Sequence, residues 1–281
     1  NSKKILNELI ENKIKDYGTT RDIPSIEGTS KLSPYIKHGQ IHVSSIWKKC
    51  GQIKSKGIGY RKYINELGWR EFSHSLINYF PEFLKGNFRK EFDKFPWAKN
   101  EKFLKAWKKG MTGYPIVDAG MRELYETGWM HNRIRMVVGS FLVKHLRINW
   151  TEGEKHFRNC LLDFNKANNV TQWQWVAGCG AYAAPYFRIF NPILQGEKFE
   201  GWLDEGGWDA LPQHIAVSAT DGASLNFVGI QNEEIRSGKK SWLRERDPIT
   251  RTLADAPEAE EEVDTDPTRH FGDSSRIMHG A

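Results

Sequence analysis

No stretch of this 281-residue chain approaches the roughly 20 consecutive apolar residues that a membrane-crossing helix needs, and its opening residues lack the apolar core of a secretory leader. Cysteine is scarce. Cys50, Cys160 and Cys179 are too few and too scattered for a disulfide framework, and no Cys/His cluster has metal-ligand spacing. HExxH, GxSxG, GxGxxG and the P-loop are all missing, so hydrolase and metalloenzyme chemistry has no motif to rest on. Period-two alternation of apolar and polar residues is nearly absent, which disfavours β-rich and doubly wound folds. No internal repeat occurs. These absences lead to the expectation of a soluble, cytoplasmic, all-α protein with no bound metal and no membrane association.

What is present is positive charge and tryptophan. The net charge is +6, but residues 1–199 hold 33 Lys+Arg against 18 Asp+Glu, a balance of +15, while residues 200–281 are net acidic. A basic surface of that kind favours a polyanionic partner. Eight of the eleven tryptophans also fall within 1–199. The chain therefore divides into a basic, aromatic region over 1–199 and an acidic tail over 200–281, rich in Asp/Glu around Glu258–Glu262 and expected to be partly disordered.

Helical periodicity dominates 1–199. Ile5, Leu6, Leu9, Ile10 and Ile14 mark an amphipathic opening helix. After a loop over Gly18–Ser33, Ile64, Leu67, Phe72 and Leu76 predict a helix that stops before Pro81. Pro115 opens another that Gly128 closes, and Ile134, Val137, Val138, Phe141 and Leu142 set a third running to Leu146.

Some helix faces carry residues unlike core or solvent. Glu66, Trp69, Arg70 and Ser73 share one face at i, i+3, i+4 and i+7, and Asn132, Arg135, Met136 and Gly139 repeat the spacing. Each face read alone suits a solvated surface with an i,i+4 ion pair; two of them suit walls of a pocket for a flat, polar-edged ring system. The stretch Gly28–Pro34 offers hydroxyls and backbone N–H groups, either as a phosphate cradle or as a simple helix cap. Asp163 to Asn169 followed by Trp173-Gln174-Trp175 places amides, a carboxylate and indoles close together. They fit a heterocycle edge, or equally a capped turn with core tryptophans.

The segments GTSKLSP (28–34), NELGWREF (65–72), TGYPIVD (112–118), GWMHNRIRM (128–136), WQWVAG (173–178) and AAPYFRIFNPILQGEKF (183–199) resemble the photolyase/cryptochrome family. They are similar to the helical FAD-binding domain of its class I cyclobutane pyrimidine dimer photolyases, in the family's order and spacing over most of 1–199. The resemblance implies a multi-helix FAD domain in which Tyr17, Thr29, Ser30, Lys31, Leu32, Ser33, Tyr63, Arg135, Asp163, Phe164, Asn165 and Asn169 surround the cofactor. Among these, Tyr63 stands where relatives commonly have Trp, and Asn165 where they usually have Asp. Arg135 and Asp163 match an ion pair beside the flavin ring, and Asn169 matches the position near flavin N5.

The resemblance further implies a lesion pocket of Glu66, Trp69, Asn132, Met136 and Trp175, DNA contacts from Arg21, Arg70, Arg133 and Gln195, and an electron relay of Trp97, Trp150 and Trp173. Glu66, Asn169 and the three relay tryptophans are the expected catalytic set. The implied activity is that of a deoxyribodipyrimidine photo-lyase: reduced FAD, excited by light, repairs pyrimidine dimers in DNA through an extruded lesion. A cryptochrome-like blue-light photoreceptor without repair activity is the alternative, and Met136 and Asn169 favour repair. The family's N-terminal antenna domain has no counterpart in these residues, so no antenna chromophore is expected. The resemblance stops after Phe199, and the protein is expected to be a monomer.

Overall fold

The structure is a computed structural model that describes residues 1–183 and 188–200, and all regular secondary structure among them is helical. Helix α1 (Ser2–Glu8) continues as a wide π turn over Leu9–Lys13. Short helices α2 (Tyr17–Thr20) and α3 (Ser33–Lys37) are followed by α4 (Val43–Gly51) and the long α5 (Ile58–Tyr79). Then come α6 (Glu101–Lys108), α7 (Pro115–Thr127), α8 (Asn132–Ser140), α9 (Trp150–Cys160), α10 (Lys166–Ala177) and α11 (Pro192–Glu200).

The helix ends have local chemical causes. Asn100 Oδ1 accepts from Phe103 N at 3.0 Å, Asn149 Oδ1 from Thr151 N at 3.0 Å and Asn165 Oδ1 from Asn168 N at 3.1 Å, so one residue type caps α6, α9 and α10. Pro115 at the first position of α7 gives up an N–H that has no helical partner there, and Gly128 closes the helix with φ of 69°. The expected opening helix, the helix ending before Pro81 and the apolar run to Leu146 are all present. The last bends through a π turn at Phe141–His145, which periodicity did not foretell. Helices α2, α4, α6, α9 and α11 were likewise not anticipated.

Packing of α7 through α10 makes the core. Ile134, Val137, Val138, Phe141 and Leu142 are buried on α8 and its continuation, against Val117, Met121 and Leu124 of α7. Helices α9 and α10 lie close because position 153 is glycine: a Cβ there would come within 2.1 Å of the Trp173 ring. On the other side, α2 packs on α5. A second apolar cluster gathers Leu6, Leu9, Ile14, Tyr17, Leu32, Ile46, Tyr63 and Leu67. The residues expected to bind cofactor are thus shared between two packed groups of helices, with α5 touching α2, α4 and α10. The acidic tail expected beyond Phe199 lies outside the described residues from Gly201 onward, as do positions 184–187 of the segment 183–199.

Candidate functional site

Asp163, just before α10, gathers the most distant partners. Its Oδ2 accepts from Arg135 Nη2 of α8 at 2.9 Å and from Ser33 Oγ of α3 at 2.7 Å, closing contacts across 28 and 130 residues. The Asp163 side chain is only 4% exposed, and its Oδ1 is buried without a hydrogen-bond partner among the described residues. Arg135 is further fixed by its Nε donating to Met130 O at 2.8 Å.

The cradle stretch sits beside it. Lys31 adopts φ of 50°, and its Nζ reaches Glu27 at 2.6 Å while lying 5.0 Å from the Trp129 ring centroid. Leu32 is buried and its N–H donates to Ser30 Oγ at 3.4 Å; the Thr29 carbonyl accepts from Lys13 Nζ. Tyr63 hydrogen-bonds Ser30 and meets Tyr17 edge-on at 5.2 Å between ring centroids. Burial pushes both phenols well above the ordinary tyrosine range, so they stay protonated. Glu123, which no sequence signal singled out, feels both Lys31 and Arg135. Burial outweighs those cations and raises its carboxyl to about 7.

Capping fixes the state of the neighbouring groups. Because Asn165 Oδ1 caps α10, its amide nitrogen is left facing His74 Nε2 at 3.1 Å. That ring nitrogen must accept, so His74 is neutral with its proton on Nδ1. Burial, reinforced by Arg70, lowers its pKa and favours the same state. Phe164 has Lys37 Nζ 5.6 Å from its ring centroid. The Asn169 amide nitrogen is drawn to α9, donating to Glu154 O and Glu154 Oε1 at 3.2 Å each. Gln174 departs from the heterocycle reading of its motif. It is fully buried and its amide serves a remote loop, donating to Phe83 O and Gly86 O and accepting from Phe88 N.

The expected lesion residues form a second constellation. Glu66 Oε1 of α5 pairs with Arg21 Nη1 at 2.6 Å, and Arg133 Nη2 pairs with Asp22 Oδ1 at 2.8 Å. Burial raises the Glu66 carboxyl above its ordinary range, opposed chiefly by Arg21. Asn132 Nδ2 and Arg133 Nη1 both approach Met136 Sδ, at 3.9 and 4.0 Å. The face expected from Asn132, Arg135, Met136 and Gly139 therefore splits. Asn132 and Met136 stay together, Arg135 turns to Asp163, and Gly139 packs under the Trp173 ring. Trp69 stacks on Tyr182 at 5.5 Å and 27°, a partner the sequence did not indicate. Trp175 lies 6.3 Å from Phe190, Arg70 pairs with the adjacent Glu71, and Gln195 sits half-buried on α11.

The three tryptophans expected as a relay run from surface to interior. Trp97 is half-buried against Phe95, whereas Trp150 and Trp173 are each 3% exposed. Ala98 N donates to Arg147 O at 2.8 Å, tying the Trp97 strand of chain to the loop that starts α9 at Trp150. Trp173 then contacts α9 one turn along, at Gly153. Trp150 Nε1 donates to Asn87 Oδ1 at 2.8 Å.

Comparison with known proteins gives this arrangement a family. Residues 63–203, just over half the chain, match the family described as the FAD binding domain of DNA photolyase. The chain belongs to that photolyase family. Its cofactor is FAD. A deoxyribodipyrimidine photo-lyase of Agrobacterium fabrum is 50% identical over 200 residues, covering 70% of this chain but 41% of that protein. In three dimensions the chain is similar to a bacterial class III photolyase from Agrobacterium tumefaciens, with TM-score 0.69 and 43% identity over 82% of this chain and 50% of that one. A Synechocystis cryptochrome aligns with TM-score 0.70 and 29% identity, over 84% and 50% of the two chains. The photolyase match thus spans less than half of the photo-lyase relative, and the fold is shared across both branches of the family. Among the described residues no helix is long and apolar enough to cross a membrane.

Proposed function

We propose that this chain carries the flavin- and lesion-binding part of a light-driven DNA repair enzyme acting on cyclobutane pyrimidine dimers. The single observation that carries the reading is Asp163. A buried carboxylate held by Arg135 and Ser33 keeps one oxygen without a partner, beside a guanidinium. That acceptor–donor pair suits the hydrogen-bonding edge of an isoalloxazine, and the hydroxyls of Thr29, Ser30 and Ser33 with Lys31 suit its phosphates and ribose.

When bound, FAD supplies a light-driven electron to the lesion. Every other task falls to this chain. Trp69 and Trp175 offer aromatic faces for an extruded dimer, while Asn132 and Met136 line its edge. Glu66, held by Arg21, accepts from the dimer's ring N–H and, with its carboxyl protonated, donates to the adjoining carbonyl where negative charge builds. Arg21, Arg70, Arg133 and Gln195 reach the DNA backbone. Trp97, Trp150 and Trp173 provide oxidisable rings in surface-to-interior order. The likeness to a solved class III photolyase supports repair chemistry, and Met136 with Asn169 argues for repair over a purely signalling photoreceptor.

The test is loss of thymine dimers from oligonucleotides under blue light by purified, photoreduced protein. Light-dependent loss is the expected outcome. Dimer binding without loss would replace this reading with the cryptochrome-like one, and protein lacking flavin absorbance would remove both.

A further inference from the structure

Asp22 lies at the centre of a charge chain that crosses three elements. Its Oδ1 is 2.8 Å from Arg133 Nη2 of α8 and 3.8 Å from Arg21 Nε at the end of α2; Arg21 Nη1 in turn reaches Glu66 Oε1 of α5 at 2.6 Å. The arginine side chains are only 12% and 18% exposed, so they are held rather than waving in solvent. Two further contacts pin them. The Arg21 guanidinium lies 5.8 Å from the Tyr17 ring centroid, and buried His131 accepts at Nδ1 from Arg133 N. Asp22, 34% exposed, is the acid that joins the two arginines.

We infer that Asp22 is a specificity residue: it acts as a built-in stand-in for a DNA phosphate, holding Arg21 and Arg133 in place and disfavouring undamaged DNA. The inference rests on the proposed repair reading, in which both arginines meet the DNA backbone. A fixed carboxylate between two cations cancels charge that would otherwise attract any duplex, because phosphate neutralisation dominates sequence-independent binding. It also repels a phosphate placed at the wrong spot. Backbone bent around an extruded lesion brings its phosphates to the arginines at their held positions and satisfies them without displacing Asp22. Discrimination then comes as much from the repulsive element as from the attractive ones.

The experiment measures binding of FAD-loaded wild type, Asp22→Asn and Asp22→Glu to one duplex with and without a thymine dimer, across a salt series. Asp22→Asn is expected to bind undamaged duplex severalfold more tightly. Its salt dependence should steepen by about 0.9 in log–log slope for each extra phosphate neutralised. Dimer affinity should change little, so the preference ratio falls, and Asp22→Glu should restore most of it. An unchanged ratio, or undamaged binding that weakens in Asp22→Asn, overturns the role of Asp22. A wild-type protein with no preference for the dimer overturns the repair reading itself, and the role of Asp22 with it. Flavin absorbance of each variant reports that the fold is retained; loss of flavin in both variants would make Asp22 a structural residue and likewise overturn the proposal.

Discussion

The two halves of the site are built on different physics. The inner half, around Asp163 and Asn165, is part-buried and held by directional bonds from caps and loops: one ion pair, otherwise neutral donors and acceptors. The outer half, around Arg21, Asp22, Glu66 and Arg133, consists of charges left partly in water. Directional bonds to a buried carboxylate fix geometry, since an unmade bond there costs the desolvation of the group, and Asp163 Oδ1 is the acceptor left open. Partly solvated ion pairs contribute little to stability and tune recognition instead. A cofactor that stays bound suits the first arrangement, and a nucleic acid that must be sampled and released suits the second.

The sharpest way to break that comparison is to remove the charge at its inner end. Asp163→Ala leaves Arg135 without its carboxylate and Ser33 without its acceptor. Breaking a buried pair in this manner costs about 3 kcal/mol, at the low end of the usual range because Arg135 is 25% exposed. The variant should show that loss in its urea midpoint and should fail to retain FAD on gel filtration. Retained flavin with wild-type stability would place the cofactor elsewhere.

Gln174→Ala comes next. The side chain answers Phe83 O, Gly86 O and Phe88 N, and its loss orphans three backbone groups of one loop. Re-solvation of that loop limits the cost to about 2 kcal/mol. FAD affinity should move far less than stability, because none of the three bonds points at the cofactor residues. A flavin-binding loss larger than the stability loss would restore Gln174 to the heterocycle edge.

Gln174 also shows where reading the sequence ran out. The helix ends at Pro81, Pro115 and Gly128 were legible because Pro and Gly act on their own neighbours, and the helical class followed from a periodicity that is purely local. The residues of the family motifs were legible as a set. Their use was not, since Gln174 spends its amide on residues 86 to 91 positions away. Asp22 was invisible for the same reason. It gives no signal beside Arg21 except an ordinary charge alternation, and its meaning comes from Arg133, which only folding brings near. Tyr182 on Trp69 and Glu154 on Asn169 belong to this class too. The π turn at Phe141–His145 escaped because one extra residue per turn barely alters an apolar stripe.

Acid provides the gentlest discrimination, since it acts on His145 and on Glu66 with opposite sign. His145, in the π turn of the inner core and stacked on Phe141, has its pKa lowered by burial to about 4. A base with a depressed folded pKa binds fewer protons folded than unfolded. Its contribution is therefore present above the unfolded value near 6.5 and disappears as pH falls through about 4. Glu66 at the mouth is the reverse: its folded pKa is raised by burial, so ionising it in the fold is disfavoured. Acidification relieves that burden, and the relief is complete below the unfolded carboxyl value. Urea midpoints followed from pH 7.5 to 4.5 should fall on acidification for the wild type. At pH 5.5 the His145 share is about 1 kcal/mol, so His145→Gln should flatten the curve by that amount. Glu66→Gln should steepen it, by removing a change that acid favours. If both variants shift the slope in the same direction, burial does not set the two protonation states in opposite senses.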